Sequence, residues 1–248
     1  MSGCLFITGT DTDCGKTSVT ELMLELFARA GLQTIAMKPV AAGCEITAEG
    51  LRNSDALKLQ AAATMKLRYE EVNPVALAPA IAPHIAAEQF GVNFSVADLV
   101  RHWRALQERQ SDVFLTEGAG GWCVPLNATE SFPDFVKQTQ QDVILVVGMK
   151  LGCLNHALLT VQAIHAAGLK LRGWIANQPT PTPMMAYRAN LKTLKQRIQA
   201  PLLAEVPHLT CLGDREVWLR QSNLIQLLNL KSNECHDSPE NSAQVVGI

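Results

Sequence analysis

Nine residues near the start of the chain, Gly9-Thr10-Asp11-Thr12-Asp13-Cys14-Gly15-Lys16-Thr17, restrict the fold more than any other stretch. The apolar run Cys4-Leu5-Phe6-Ile7 precedes them, and a helix-like segment from Ser18 to Ala30 follows. Between a buried strand and a helix, such a segment reads as a phosphate-binding loop of the Gly-x-x-x-x-Gly-Lys-Thr type. Backbone N–H groups and the helix N-terminus converge on an anion there. Lys16 then sets a point charge beside the outer phosphates, and the Thr17 hydroxyl is offered to a magnesium ion. The competing reading is a Gly-rich turn carrying an exposed lysine.

Along the chain, apolar runs alternate with helical patterns. Gln33 to Met37 reads as a strand ending at Lys38-Pro39, because proline cannot donate to a ladder and marks an edge. Asn53-Ser54 are plausible caps for a helix opening at Asp55. Asn73 to Pro83 carries three prolines among small apolar residues and reads as an irregular surface passage before a helix from about Ser95 to Gln110. Asp112 to Thr116 is a buried strand delivering Glu117-Gly118-Ala119-Gly120-Gly121. A helix from Ser131 to Gln140, a strand from Val143 to Gly148 and a helix from Asn155 to Ala167, stopped by Gly168, come next. A strand from Leu171 to Ala176 presents Asn177. Met184 to Gln199 is expected helical, Leu202 to Val206 a short strand and Arg215 to Leu230 a final helix. This alternation predicts an α/β fold, a mostly parallel sheet with helices on both faces, in one domain over residues 1–230 with a polar tail at 231–248.

Composition narrows the partners. The 248 residues carry a net charge of -2 and are 48% apolar, with no basic run to neutralise a phosphate backbone, so nucleic acid is excluded as a partner. Seven cysteines are scattered without a C-x-x-C pair, which points away from zinc or a disulfide framework. The longest apolar run, Val143 to Met149, is too short to span a bilayer, and no signal-like start is seen. A soluble cytoplasmic protein without membrane contact is expected.

In an open α/β sheet, ligands sit at the C-terminal strand ends. Two cations, Lys16 and Lys38, and two carboxylates, Asp55 and Glu117, are expected there. Phosphoryl transfer needs both kinds of group, since its catalysis is mostly positioning and electrostatics. Thr17, Asp55 and Glu117 supply hard oxygen donors for magnesium. Asp55 could instead be a helix N-terminal charge favoured by the macrodipole, Glu117 a solvated acid at a strand end, and Lys38 a charge leaving a sheet edge.

Five ordered motifs then resemble dethiobiotin synthetase: the loop from Gly9 to Thr17, Lys38-Pro39-Val40, Gly50-Leu51-Arg52-Asn53-Ser54-Asp55-Ala56, Glu117-Gly118-Ala119-Gly120-Gly121-Trp122, and Leu151-Gly152-Cys153-Leu154-Asn155-His156-Ala157. The resemblance runs from Leu5 to about Leu209. It implies an ATP- and magnesium-dependent ligase of biotin biosynthesis that closes diaminopelargonic acid and carbon dioxide into dethiobiotin. By motif, Lys16 and Lys38 would be catalytic. Asp13, Cys14, Gly15, Lys16, Thr17, Ser18, Asp55, Glu117, Gly118, Ala119 and Gly120 would hold nucleotide phosphates and metal. Asn177, Gln178, Pro207, His208 and Leu209 would contact adenine, and Thr12 and Ala42 would face the substrate. Backbone groups at Cys153, Leu154 and Asn155, at a helix start, would bind the substrate carboxylate, and these residues, with Tyr187 as a further substrate contact, would come from the other subunit of a homodimer.

Three features depart from the family. Ala42 stands where a Ser or Thr hydroxyl is common, Asp13 where a longer Glu is often found, and the segment from Asn177 to Tyr187 is shortened and enriched in proline. Three alternatives follow: an amidotransferase ATPase module, for which the length leaves no glutaminase domain, a partitioning-type ATPase, whose extra loop lysine is replaced by Thr10, or an idle nucleotide-binding paralogue.

Overall fold

The structure is a computed structural model describing residues 3–228. Its strands in chain order are β1 (Gly3–Gly9), β2 (Thr34–Met37), β3 (Val40–Ala42), β4 (Glu45–Thr47), β5 (Gly50–Arg52), β6 (Val75–Leu77), β7 (Val113–Glu117), β8 (Asp142–Gly148), β9 (Leu171–Asn177) and β10 (Leu202–Val206). The helices are α1 (Lys16–Arg29), α2 (Ser54–Ala62), α3 (Tyr69–Val72), α4 (Pro83–Gln89), α5 (Val96–Gln107), α6 (Phe132–Thr139), α7 (Cys153–Ala166), α8 (Tyr187–Arg197), α9 (Leu212–Gln221) and α10 (Leu224–Leu227).

Six strands form one sheet in the order β10-β9-β8-β1-β7-β2, and every pair is parallel. The α/β expectation therefore holds. Because successive side chains of a strand point to opposite faces, β1 splits its residues between two apolar layers. Phe6 joins one layer with α5, α6, α7 and α8, while Leu5 and Ile7 join the other with α1, α2, α9 and α10. Burial on both faces is why β1, β7 and β8 read as continuous apolar runs.

Phe6 anchors the first layer against Trp122, Phe132 and Phe135, with ring centroids 6.1, 5.8 and 6.2 Å away. A side-chain carbon on Gly118 would come within 2.9 Å of the Phe6 ring, so glycine lets the chain leaving β7 lie down on that cluster. Core packing and the site's backbone thus meet at one contact.

Two regions differ from expectation. Asn73 to Pro83 is not an irregular surface passage: Asn73 is buried, β6 pairs in parallel with β3, and the chain then enters α4. The last helix is broken into α9 and α10 at Ser222-Asn223, and the end expected at Leu230, like the tail at 231–248, lies outside the described residues.

Candidate active site

The loop after β1 has five residues between Gly9 and Gly15, one more than the four of the pattern named above. It turns through two left-handed residues, Asp13 (φ 56°) and Gly15 (φ 90°), before α1 begins at Lys16. Cys14 is wholly buried between the strand ends, where side-chain carbons on Gly9 or Gly148 would sit 2.3 Å from its Sγ or 2.9 Å from its Cβ. Lys16 Nζ donates to the carbonyls of Asp11 (3.0 Å) and Gly120 (2.6 Å), which hold the ammonium at the loop without neutralising it.

Glu117 closes β7 fully buried, and its Oε1 accepts both the Thr17 hydroxyl (2.8 Å) and Lys38 Nζ (2.7 Å). Lys38 Nζ also lies 3.4 Å from Asp55 Oδ2. Burial pulls the Lys38 ammonium toward neutrality, but Glu117 and Asp55 outweigh it and hold its pKa above the ordinary lysine value. Backbone contacts fix the residue as well: its N–H donates to Val72 O and its carbonyl accepts from Asn73 Nδ2, both at 2.8 Å. Asp55 is set by the α2 cap, where Asn53 Oδ1 accepts the N–H groups of Asp55 and Ala56.

The second oxygen of Glu117, Oε2, is buried with no hydrogen-bond partner. A buried carboxylate oxygen left bare is costly, so it marks a place for a cation or for water bound to one. Thr17, Glu117 and Asp55 offer only oxygen, the donor set that suits magnesium. Among the described residues no group of three or more His, Cys, Asp or Glu side chains gathers around a metal position. Two carboxylates and one hydroxyl would leave the other positions of an octahedral ion to water and phosphate.

A cavity of about 870 Å³ opens over these groups. Thr12, Asp13, Gly15, Lys16, Thr17, Ser18, Lys38, Ala42, Asp55, Ala119 and Gly120 line one part of it. Asn177, Gln178, Pro207, His208 and Leu209, from the ends of β9 and β10, line another. That volume lies within the range of small-molecule sites, roughly 300 to 1,000 Å³. Asn177 is buried, and its Nδ2 donates to Cys14 O at 2.9 Å.

A family model described as an AAA domain matches residues 4–216. An ATP-dependent dethiobiotin synthetase of Pseudoalteromonas translucida (strain TAC 125) is 51% identical over 203 residues, covering 82% of this chain and 89% of the relative. The chain belongs to the dethiobiotin synthetase family. A second member, from Vibrio parahaemolyticus serotype O3:K6 (strain RIMD 2210633), is 48% identical over 230 residues and is covered to 100% of its length, with 93% of this chain aligned. Among solved structures, the septum site-determining protein MinD of Pyrococcus horikoshii OT3 aligns over 93% of this chain and 94% of its own at TM-score 0.55 and 17% identity. A ParA family ATPase from Chlorobium tepidum TLS aligns over 94% and 95% at TM-score 0.51 and 10% identity. At such identities these two show a shared P-loop fold and nothing more.

Set against the residues expected of a dethiobiotin synthetase, the geometry divides them. Cys14, Glu117 and Gly118 stand behind the cavity wall, with Gly118 N–H donating to Ile7 O at 3.0 Å. Cys153, Leu154, Asn155 and Tyr187 line no part of their own chain's cavity. Cys153 N–H is bonded to Lys150 O at 3.0 Å, and its side chain is buried. Burial raises both the Cys153 thiol and the Tyr187 phenol above their ordinary pKa values.

Other lining groups went unread in the sequence. Lys58, one turn after Asp55 on α2, reaches the cavity, and the Ala80-Ile81-Ala82-Pro83 segment walls it. Lys150 pairs with Asp11 at 3.0 Å, and that hydrogen bond holds the Asp11 carboxyl below its usual value. The i, i+3 spacing of Asp55 and Lys58 was a legible signal. The Pro-rich wall gave none, because its place depends on β6 finding β3.

Proposed function

We propose that the chain is an ATP-dependent ligase of biotin biosynthesis that carboxylates diaminopelargonic acid with carbon dioxide and closes the product to dethiobiotin. An amine carbamate is a poor electrophile. Transfer of the γ-phosphoryl group to a carbamate oxygen gives a carbamic-phosphoric anhydride and ADP. The neighbouring amine then attacks the carbonyl carbon, the ureido ring forms, and phosphate leaves with the electron pair of the broken C–O bond. The observation that carries this reading is the single Glu117 oxygen shared by Thr17 of the phosphate loop and Lys38 of another strand. It ties the phosphate-binding end to a second, fixed cation where two anions have to meet.

Each residue's part follows from its surroundings. Lys16, whose Nζ is held by two neutral carbonyls and no carboxylate, is placed to face the β- and γ-phosphates. Lys38, kept protonated by Glu117 and Asp55, is placed to stabilise charge growing on the transferring phosphoryl and carbamate oxygens. Thr17, Asp55 and Glu117 would hold magnesium, which when bound neutralises phosphate charge. Asp13, Cys14, Gly15 and Ser18, with Gly118, Ala119 and Gly120, shape the phosphate end, and Asn177, Gln178 and Pro207 to Leu209 the base end. Thr12 and Ala42 border the diamine, Ala42 without the hydroxyl that relatives commonly offer.

The substrate carboxylate is assigned to the backbone at Cys153, Leu154 and Asn155 of a second subunit in a homodimer, with Tyr187 of that subunit as a further substrate contact. Their position outside their own cavity supports this, as do Leu151 and Met185, two residues before Cys153 and Tyr187 and 93% and 92% exposed. One domain over residues 1–230 and a cytoplasmic setting complete the proposal, and no helix among the described residues is long and apolar enough to cross a membrane. Purified protein given ATP, magnesium, bicarbonate and diaminopelargonic acid should yield dethiobiotin, detected by mass. Absence of that product alongside intact ATP binding would remove the substrate assignment.

A further inference from the structure

We infer that Asn177 is a positioning residue for the phosphate loop: a buried amide on β9 that fixes the loop's backbone, and so sets polyphosphate affinity whether or not a base is attached. The inference rests on the reading of the loop as a polyphosphate site and goes beyond the assignment of Asn177 to the base.

The contact is built from both sides. On the β9 side, Asn177 is 5% exposed, its carbonyl accepts Met149 N–H at 2.8 Å, and the next residue's N–H donates to Val206 O at 2.9 Å. The side chain therefore leaves a backbone pinned to the segments on either side. On the loop side, its Nδ2 donates to Cys14 O at 2.9 Å. Only the nitrogen can face a carbonyl, so this bond fixes the amide's orientation. Gly15, which follows, is held at φ 90°, and a side-chain carbon there would lie 2.0 Å from the same Nδ2. Asn177 thus occupies the space any larger residue at position 15 would need. Losing the amide would leave a buried carbonyl unsatisfied in the segment whose N–H groups have to converge on phosphate.

Cys14 itself has no freedom to replace this support. Its side chain is packed against Gly9 and Gly148, so the peptide joining Cys14 to Gly15 is held from below by packing and from the side by Asn177 alone among the described hydrogen bonds. With the side contact removed, that peptide gains rotation about the left-handed Gly15, and the N–H groups of Gly15 and Lys16 lose their common aim.

Magnesium tripolyphosphate, which has no base, separates loop positioning from base contact. Its affinity and that of magnesium ATP would be measured by calorimetry, with competition against a fluorescent ATP analogue, for wild type, Asn177→Ala and the near-isosteric Asn177→Leu. Melting by circular dichroism identifies the variants folded at the assay temperature, and Leu keeps the packing should Ala not fold. Both variants should bind tripolyphosphate about tenfold more weakly, a loss of about 1.4 kcal/mol. Unchanged tripolyphosphate affinity with weakened ATP would make Asn177 a base contact only and overturn the inference, as would two unchanged affinities or a lowered melting point without any change in affinity. Wild-type protein that binds neither ligand would overturn the reading of the loop itself.

Discussion

Lys38 shows what a residue gains from its position. Its ammonium lies 2.7 Å from Glu117 and 3.4 Å from Asp55, so burial does not discharge it. A raised lysine pKa means that its charge is fully present below the ordinary value and is lost only as pH rises through the higher folded value, so the alkaline limb of activity should not come from this group. Because the charge is preorganised where oxygens gain charge, Lys38→Leu should lower kcat by about a hundredfold or more while changing the ATP dissociation constant much less. Near-normal kcat with a proportionately raised dissociation constant would instead make Lys38 a ground-state nucleotide contact. Glu117→Gln keeps the shape but removes an anionic donor from beside Thr17, so it should shift the magnesium titration to higher concentration. A curve superimposable on wild type would withdraw Glu117 from the metal. Glu117 was legible as an acid ending an apolar strand, whereas its contact with Lys38 was not, since β2 and β7 lie far apart in sequence and meet only as neighbours in the sheet.

At the scale of elements, α2 carries both Asp55 and Lys58, and its start is fixed by Asn53. That asparagine is buried, caps the helix through Oδ1, and donates from Nδ2 to Ala42 O at 3.3 Å, joining the helix to β3. Asn53→Ala should cost about 1 to 2 kcal/mol of stability through the lost cap. It should also raise the magnesium requirement, because Asp55 loses its fixed helix start. Thermal melts and magnesium titrations measure the two effects separately, and a drop in stability with an unchanged magnesium curve would confine Asn53 to a structural part. The cap was readable from Asn53-Ser54-Asp55, as were the long strands and helices, because each repeats a local period. The three-residue strands β3 and β6 were not, since their pairing is non-local and such short runs carry little pattern of their own.

For the whole molecule, an ionic network fastens α9 to α1. Arg29 bonds Glu216 at 2.6 Å and Glu25 at 2.8 Å, and Arg215 reaches Glu25 at 2.6 Å. The hydrogen bond from Arg29 holds the Glu216 carboxyl down to about 2. A depressed carboxylate contributes stability above its ordinary value and loses it as pH falls toward the folded one. Between pH 4.5 and about 2, then, α9 should loosen from α1. Trp218, whose indole N–H donates to Glu205 O at 2.9 Å, should report this in fluorescence as the difference between wild type and Trp218→Phe. An unchanged difference signal over that range would show that the Glu216 pairs do not keep α9 in place. The chain's own order of residues determined the alternation of strands and helices, the phosphate loop and the carboxylate ending β7, because each is written in local periodicity or in one short motif. Tertiary structure decided which groups converge. The order β10-β9-β8-β1-β7-β2 brings Lys38, Glu117, Thr17 and Asn177 to one edge, while Cys153 and Tyr187 remain outside the same cavity, a division set by long-range strand pairing that no local stretch encodes.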